Sequence, residues 1–181
     1  YSKNKHRLEL VNCEEEKPHK HFLNADIENM YGALSKQLHN TQISIVGRDS
    51  AEDKFVIFSY TDINPGTYYL FERSSGKLTS LGTRNSSINP EELCTMQPIS
   101  FKARDGLLIN GYLTLPKGDR KTRLPVVVLP HDVPWRVRDV WGYSDEVQFL
   151  ANRGDAVFQV NSRGSACYGK AFYRAGFKQM G

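Results

Sequence analysis

The segment LPVVVLPHDVPWRVRDVWGY, residues 124–143, decides the fold because an apolar run leads directly into a polar and aromatic stretch. Residues 126–129 show no polar alternation, which is typical of a strand covered on both faces in a parallel sheet flanked by helices. Strands of this kind commonly end at the functional edge of their sheet. We therefore expect a site in the residues that directly follow Pro130.

A helix and a second strand follow this segment. The sequence SDEVQFLANRG offers Ser144 as an N-cap and Gly154 as the residue that ends the helix. The next run, AVFQV at residues 156–160, predicts another buried strand. Since a helical crossover joins parallel strands, we expect residues 126–129 and 156–160 to pair in parallel.

The residues before the decisive segment predict a helix and a hairpin. NPEELCTM has a proline at a helix start and two acids in the first turn, so residues 89–97 predict a short linking helix. Asp105 and Gly106 lie between two β-like runs, which is a strong hairpin signal. Residues 98–181, which end in the helix-like pattern GKAFYRAGFKQM, therefore predict the start of an α/β sheet.

The first half of the chain has a different pattern. Four β-like segments separated by turn residues fill residues 41–82, which matches the size of one β-propeller blade. Apolar residues at helical spacing predict an amphipathic helix over residues 26–39. Residues 1–12 are interpreted as the last strand of an earlier blade. One blade cannot bury its own faces, so we expect further blades upstream of this chain.

Composition excludes several classes of protein. The formal charge is +4, and the basic excess lies in the second half, but its densest cluster, residues 117–123, contains no aromatic residue for base stacking. We interpret that cluster as a solvated loop and expect no nucleic-acid partner. No apolar segment approaches the roughly 20 residues of a membrane helix, so no membrane partner is expected.

Cysteine and histidine spacing argues against a metal centre or a cofactor. Cys13, Cys94 and Cys167 are too few and too far apart for a disulfide framework or a zinc site, which favours a reducing, cytoplasmic compartment only weakly. His19 and His21 have the spacing of a metal pair, but no third ligand is near, so a polar loop is the preferred interpretation.

Several motifs in one order resemble a known family. RDGLLINGYLTLP, LPVVVLPH, PWRVRDVWG, QFLANRG and QVNSRGSACYGKAF resemble the opening of the catalytic domain of the prolyl oligopeptidase family of serine peptidases, in particular its dipeptidyl and acylaminoacyl peptidase branches. The preceding DKFVIFSYTDINPGTYYLFERSSGKLTSL is similar to the last propeller blade of that family. The resemblance covers roughly residues 41–181 and depends on the joint order of the motifs.

The resemblance implies a β-propeller followed by an α/β hydrolase. Residues 1–88 would be the C-terminal part of the propeller, residues 89–97 the linking helix, and residues 98–181 the N-terminal part of the hydrolase domain. It also implies hydrolysis of short peptides or acyl-peptides by a Ser-Asp-His triad, without a cofactor. The oligomeric state is left open.

The nucleophile of this fold lies in a G-x-S-x-G turn, and this sequence contains none. The nearest string, GYSDE, places Ser144 at a helix start, where it is explained as a cap. We therefore expect the whole triad after Gly181, so that this chain alone is inactive.

The resemblance assigns His131, Asp132 and Val133 to an oxyanion loop, where the family commonly has His-Gly-Gly-Pro and this chain has His-Asp-Val-Pro. The alternative for His131 is a structural histidine at a strand end. The lost glycines leave open a non-catalytic binding relative, and an α/β-hydrolase esterase is a further alternative.

Arg163 and Tyr168 lie in NSRGSACYG, which matches the family's Arg-Gly-Ser turn, and are predicted at the rim of the site. For Arg163 the favoured alternative is that its hydrogen bonds hold the loop.

Overall fold

The computed structural model describes residues 4, 6–118, 122–133 and 135–179. The chain divides into two compact units: the first comprises Tyr1–Cys13 and Pro18–Pro90, and the second comprises Glu14–Lys17 and Glu91–Gly181. In the described part of the chain, no helix has both the length and the apolar character needed to cross a membrane.

The first unit is built on a four-stranded antiparallel sheet. Its strands follow one another in the order β3-β4-β5-β6, which confirms the four strands predicted within residues 41–82. A separate two-stranded sheet, β1-β2, and one helix precede it. The elements are β1 (Leu10–Glu14), β2 (Pro18–Phe22), α1 (Ala25–Gln37), β3 (Gln42–Arg48), β4 (Lys54–Thr61), β5 (Asn64–Glu72) and β6 (Lys77–Thr83).

Helix α1 begins at a hydrogen-bonded cap and supplies half of the core of this unit. The Asn24 Oδ1 atom accepts hydrogen bonds from the backbone N–H groups of Asp26 and Ile27, at 3.0 and 3.2 Å. The buried face of the helix lies in one apolar cluster with buried side chains of β4, including Phe55 and Ile57. The predicted amphipathic helix is thereby confirmed within two residues at each end.

The start of the chain differs from the sequence-based expectation. The segment PHKHF is strand β2 and not a polar loop, and its two histidine rings lie 4.8 Å apart on one face because side chains two residues apart in a strand point the same way. Strand β1 pairs with β2, so the segment assigned to an earlier blade finds its partner in the next strand of the chain. Three charged residues, Glu15 to Lys17, separate the two strands, so the local sequence did not indicate that they pair.

The second unit contains a mixed four-stranded sheet. Its order is β7-β8-β10-β9, in which β9 and β10 are parallel and the other two pairs are antiparallel. Both the parallel pair and the hairpin at Asp105-Gly106 are therefore confirmed. The elements are β7 (Met96–Lys102), β8 (Leu108–Thr114), β9 (Val126–Pro130), α2 (Asp145–Asn152), β10 (Ala156–Asn161) and α3 (Gly169–Arg174).

Helix α2 packs on one face of this sheet. The Ser144 side chain caps it, as predicted, by accepting a hydrogen bond from the backbone N–H of Val147. Val147 and Ala151 are buried against Val157 of β10. The helix is also held by a pair of hydrogen bonds, both 2.8 Å long, between the buried Gln148 amide and the backbone of Cys94.

The prediction that β9 is covered on both faces is wrong for this chain. Val126 and Val128 are 60% and 56% exposed, whereas the alternate residues Val127 and Leu129 are half-buried. Strand β9 is the outermost strand of its sheet in the described residues, and Leu129 packs in the cluster that contains α2. A continuous apolar run therefore lies here on a strand with one covered face.

Two predicted helices are shorter than expected. In the linking segment only Pro90–Glu92 forms a 3-10 turn, and buried Met96 already begins β7, because pairing with β8 competes with helix formation. Helix α3 ends at Arg174, and Gly176 lies so close to other backbone that a Cβ there would be 2.9 Å from the Gly164 Cα. In the charged loop predicted at 117–123, residues 119–121 lie outside the described part.

Gly111 gives a test of the second sheet, because a Cβ there would overlap the backbone oxygen of Gln159 in the neighbouring strand and lie 2.9 Å from the Phe158 ring. We expect Gly111→Ala to lower the free energy of unfolding by about 1–3 kcal/mol, the usual cost of overpacking. Urea unfolding followed by tryptophan fluorescence reports on this unit, since both tryptophans lie in it. Gly32→Ala in α1, where a Cβ meets nothing within 4 Å, is the control and should instead stabilise its unit by about 1 kcal/mol in circular dichroism. Equal effects of the two substitutions would contradict the packing described here.

Candidate functional site

Two loops meet at the carboxyl ends of β9 and β10. The first begins with His131, directly after β9, and the second occupies residues 162–168, directly after β10. Parallel strands end at the same edge of a sheet, so the pairing of β9 with β10 brings the loops together. The contact between them is a hydrogen bond of 2.9 Å between the His131 Nε2 atom and the Ser165 Oγ atom.

The direction of this hydrogen bond follows from the other partner of Ser165. Ser165 is fully buried, and its Oγ donates a hydrogen bond of 2.6 Å to the backbone carbonyl of Ser162. Its one hydroxyl proton is thereby used, so the His131 Nε2–H must donate to the Ser165 Oγ. His131 acts here as a clamp between the loops, and Ser165 has neither the exposure nor the free proton-accepting base of a nucleophile.

The backbone of the predicted oxyanion loop accommodates the residues that replace glycine. Asp132 and Val133 are both exposed. In the described part of this loop, positive φ occurs at Arg136 (φ 62°) and at neither Asp132 nor Val133. A β-branched residue at 133 is therefore unstrained, and the loop does not depend on the conformational freedom that two glycines would offer.

Arg163 holds two turns together. Its Nη1 atom lies 2.8 Å from the Asp105 Oδ2 atom, which joins the loop after β10 to the turn between β7 and β8. The hydrogen bond from Arg163 holds the pKa of Asp105 below its ordinary value.

Arg138 is a site residue from the segment PWRVRDVWG, and the resemblance assigned it no role. Its guanidinium donates to the backbone carbonyls of Glu14 (2.6 Å) and Glu15 (3.0 Å) and to the Tyr112 hydroxyl (3.0 Å). The same group lies 4.3 Å from the ring centroid of Tyr168, which gives a cation–π contact. Arg138 therefore connects four parts of the second unit and is not directed at Asp132.

Tyr168, which the sequence predicts at the rim of the site, has a hydroxyl group that is hydrogen-bonded within the protein. It accepts a hydrogen bond of 3.0 Å from the Asn161 side-chain amide at the end of β10. Burial raises the pKa of Tyr168, and the positive charge of Arg138 partly opposes that effect. At neutral pH the residue is a neutral, positioned phenol.

Asp139 is a second site residue from the same segment to which the resemblance assigned no role. The backbone N–H of Asp139 donates a hydrogen bond of 2.7 Å to the Asn161 Oδ1 atom. The Gln159 side-chain amide donates one of 2.9 Å to the Asp139 Oδ1 atom. The Asp139 Oδ2 atom is buried, and no described residue hydrogen-bonds to it. Burial raises the pKa of Asp139, against the lowering effects of the Gln159 hydrogen bond and of His131 and Arg138. The signal that could have indicated this network is the pair of polar residues, Gln159 and Asn161, within an otherwise apolar strand.

In the described residues, no group of three or more His, Cys, Asp or Glu side chains could hold a metal ion. His19 and His21 contact each other through their rings. The three cysteines are free thiols.

Comparison with known proteins places these motifs in a family context. Residues 141–181 match the model of the prolyl oligopeptidase family. Dipeptidyl aminopeptidase BIII of Pseudoxanthomonas mexicana is 37% identical over 139 residues, which cover 72% of this chain and 20% of that protein. Dipeptidyl peptidase family member 6 of Caenorhabditis elegans is 32% identical over 147 residues, 70% of this chain and 20% of that protein.

A solved structure agrees with these matches at the level of the fold. The Pyrococcus horikoshii acylaminoacyl peptidase superposes with a TM-score of 0.55 at 24% identity, over 75% of this chain and 21% of that chain. This chain therefore spans about a fifth of the length of the relatives it matches. The resemblance drawn from the motifs is confirmed.

Ser165→Ala tests the clamp between the two loops. The substitution leaves the His131 Nε2–H without its acceptor, so we expect the free energy of unfolding of the second unit to fall by about 1–3 kcal/mol. The measurement is urea unfolding followed by tryptophan fluorescence. Ser162→Ala is the matched control, because Ser162 takes part in the clamp through its backbone carbonyl and its replacement should change little. If both substitutions cost the same, the 2.9 Å contact does not hold the loops.

Asp139→Asn tests the buried carboxylate. A pKa raised in the folded state means that folding favours the protonated acid, so the contribution to stability falls as pH rises from the ordinary carboxyl value of about 4 through the raised value. We expect Asp139→Asn to remove this dependence and to raise the free energy of unfolding at pH 7 relative to the parent. The measurement is urea unfolding at several pH values between 4 and 8. Asp155→Asn is the control, because Asp155 directly precedes β10 and lies at the opposite end of the strand from Asn161. The prediction is contradicted if the free energy of unfolding of the parent rises between pH 4 and 8 and Asp139→Asn removes that rise.

Proposed function

We propose that this chain is part of a serine peptidase of the prolyl oligopeptidase family and carries its oxyanion loop but not its Ser-Asp-His triad. In this proposal the first unit is the last propeller blade and the second unit is the N-terminal part of an α/β hydrolase. The observation that supports it most directly is the loop after β9, which the His131–Ser165 hydrogen bond holds at the carboxyl edge of a parallel strand pair.

The loop would act through its backbone. During attack on a peptide carbonyl, negative charge develops on the carbonyl oxygen, and one backbone N–H aimed at that oxygen contributes about 2.7–4 kcal/mol. In the proposal the N–H of residue 132 or 133 is this donor, and the support for it is that both residues directly follow the clamped histidine. His131 is then a positioning residue: its ring is bound to Ser165, and the precision of the loop depends on that bond.

The Asp132 carboxylate has to point away from the developing oxyanion, since like charges would oppose the reaction. Its exposure is consistent with this requirement, because water can solvate it outside the reaction centre. The loop continues into Arg138 and Asp139: the Arg138 side chain donates to the Asp139 carbonyl, and Asp139 exchanges two hydrogen bonds with Asn161. Their role in the proposal is to keep the floor of the site rigid.

The substrates would be short peptides or acyl-peptides. The relatives are named as dipeptidyl aminopeptidase, dipeptidyl peptidase and acylaminoacyl peptidase, and each of these names denotes a peptidase. We extend that class to the protein that contains this chain.

Labelling with a fluorophosphonate tests the assignment of the nucleophile. The longer protein that contains this chain should react with one equivalent at a serine after residue 181 and should hydrolyse dipeptidyl or acylaminoacyl p-nitroanilides. The 181-residue chain alone should not be labelled, because its buried Ser165 lacks a free proton-accepting base. Intact-protein mass spectrometry measures both. Stoichiometric labelling of any serine within residues 1–181 would overturn the proposal.

The loop itself is tested in the longer protein by replacing Asp132 and Val133 with glycine together. An active enzyme should change its kcat by less than about tenfold in either direction, because the N–H donors remain in place. A protein that is inert before the change and gains turnover after it would be a relative that lost its oxyanion hole. A protein with a reactive downstream serine that is inert in both forms would show that this loop has been assigned wrongly.

A further inference from the structure

A polar cleft lies at the same edge of the sheet, and residues 131–133 are not among its lining residues. Its volume is about 540 Å³, within the range of about 300–1,000 Å³ that small-molecule sites occupy. It lies where the turn between β7 and β8 meets the loop after β10, and Arg104, Trp135, Ser162 and Gln179 are among its lining residues. None of these residues takes part in the loop clamp through its side chain.

The indole N–H of Trp135 is the unusual group in this cleft. Its Nε1 atom is buried and has no hydrogen-bond partner among the described residues. The ring is held by an edge contact with Phe177 at 6.0 Å between centroids, and by Gly176, where a Cβ would lie 2.9 Å from the Nε1 atom. An indole nitrogen can only donate, so the group that completes it has to be an acceptor. Buried N–H groups are nearly always satisfied, which makes the orphaned donor an indication of a ligand.

The charges of the lining residues define the kind of acceptor. Asp105 is neutralised within the cleft by its 2.8 Å ion pair with Arg163. Arg104 adds a positive charge, and it is exposed in the turn where a solvated anion can reach it. Ser162 and Gln179 add neutral hydrogen-bonding groups. An anion with two acceptor atoms, one for the indole N–H and one for a guanidinium, matches this arrangement.

We propose that this cleft binds the carboxylate at the C-terminus of a short peptide. The carboxylate follows from the indole and guanidinium donors, and its identification with a peptide rests on the proposed function. The volume suits a peptide of two or three residues, and the neutral groups Ser162 and Gln179 suit its amide bonds. The cleft gives the protein a preference for short peptides with a free C-terminus.

The two tryptophans make the proposal measurable in the 181-residue chain. The Trp141 indole N–H already donates to the Met96 carbonyl at 3.2 Å, so it serves as an internal reference for Trp135. In ¹⁵N-labelled protein the two indole signals are assigned with Trp135→Phe, which removes one of them. N-acetyl-Ala-Ala is then titrated, followed by its C-terminal amide and by inorganic phosphate. We expect the Trp135 signal to shift saturably with the carboxylate, at least about tenfold more weakly with the amide, and the Trp141 signal to stay in place.

Substitution of the guanidinium separates a built site from general charge attraction. Arg104→Gln should weaken binding of N-acetyl-Ala-Ala by at least about tenfold. Arg174→Gln, which removes an exposed arginine of α3 outside the cleft lining, is the matched control and should leave binding unchanged. Well-dispersed spectra confirm that each variant is folded.

The proposal is overturned if the carboxylate fails to shift the Trp135 signal, if the amide binds equally well, if phosphate binds and the carboxylate does not, or if both arginine substitutions weaken binding equally. The titration requires no hydrolysis. A longer protein without peptidase activity would therefore leave the carboxylate site standing, and a failed titration would leave the proposed peptidase function untouched.

Discussion

The parallel pairing of β9 with β10 is the constraint on which the candidate site depends. Parallel strands end at one edge of a sheet, so the residues after Pro130 and after Asn161 must share a surface whatever their chemistry. The pairing places His131 within hydrogen-bond distance of Ser165. The antiparallel pairing of β10 with β8 then brings the loop after β10 next to the turn between β7 and β8, where Arg163 reaches Asp105. Without the parallel pairing the contact between His131 and Ser165 would not form.

Polar groups at this edge of the sheet are found among the buried residues as well as in the exposed loops. Gln159 and Asn161 are buried within β10, and their amides bind Asp139 from the loop that follows β9. A buried polar network is stabilising only when its members are satisfied. Here the Asp139 Oδ2 and Gln159 Oε1 atoms find no hydrogen-bond partner among the described residues. Unsatisfied groups of this kind are tolerated where a rigid, specific arrangement has a use. The network therefore fits a surface that positions a loop better than one that only closes a core.

Local sequence patterns were sufficient for most of the elements. Alternating apolar residues and turn chemistry correctly predicted the four strands of the first unit, and Asp105-Gly106 correctly predicted the hairpin of the second. They failed where a partner strand decides the outcome. The linking segment has good helix-start residues, yet Met96 pairs with Thr114 in β8. PHKHF has the composition of a loop, yet it is a strand beside β1. Pairing partners are distant in sequence, so a local pattern does not contain them.

For the site, the order of the motifs was enough to indicate the family and the loop at residues 131–133, because those features are encoded in consecutive residues. The roles of single side chains were decided by tertiary structure. Arg138, Asp139 and Trp135 lie in a motif that assigned them no individual role, and they matter because of atoms that lie tens of residues away, such as the carbonyl of Glu15 and the amide of Gln159. Hydrogen bonding and burial are properties of neighbours in space. The sequence alone determined the four strands of the first unit and the parallel pair of the second, whereas only the folded sheet decided which polar groups are satisfied, which are left over and where a ligand could complete them.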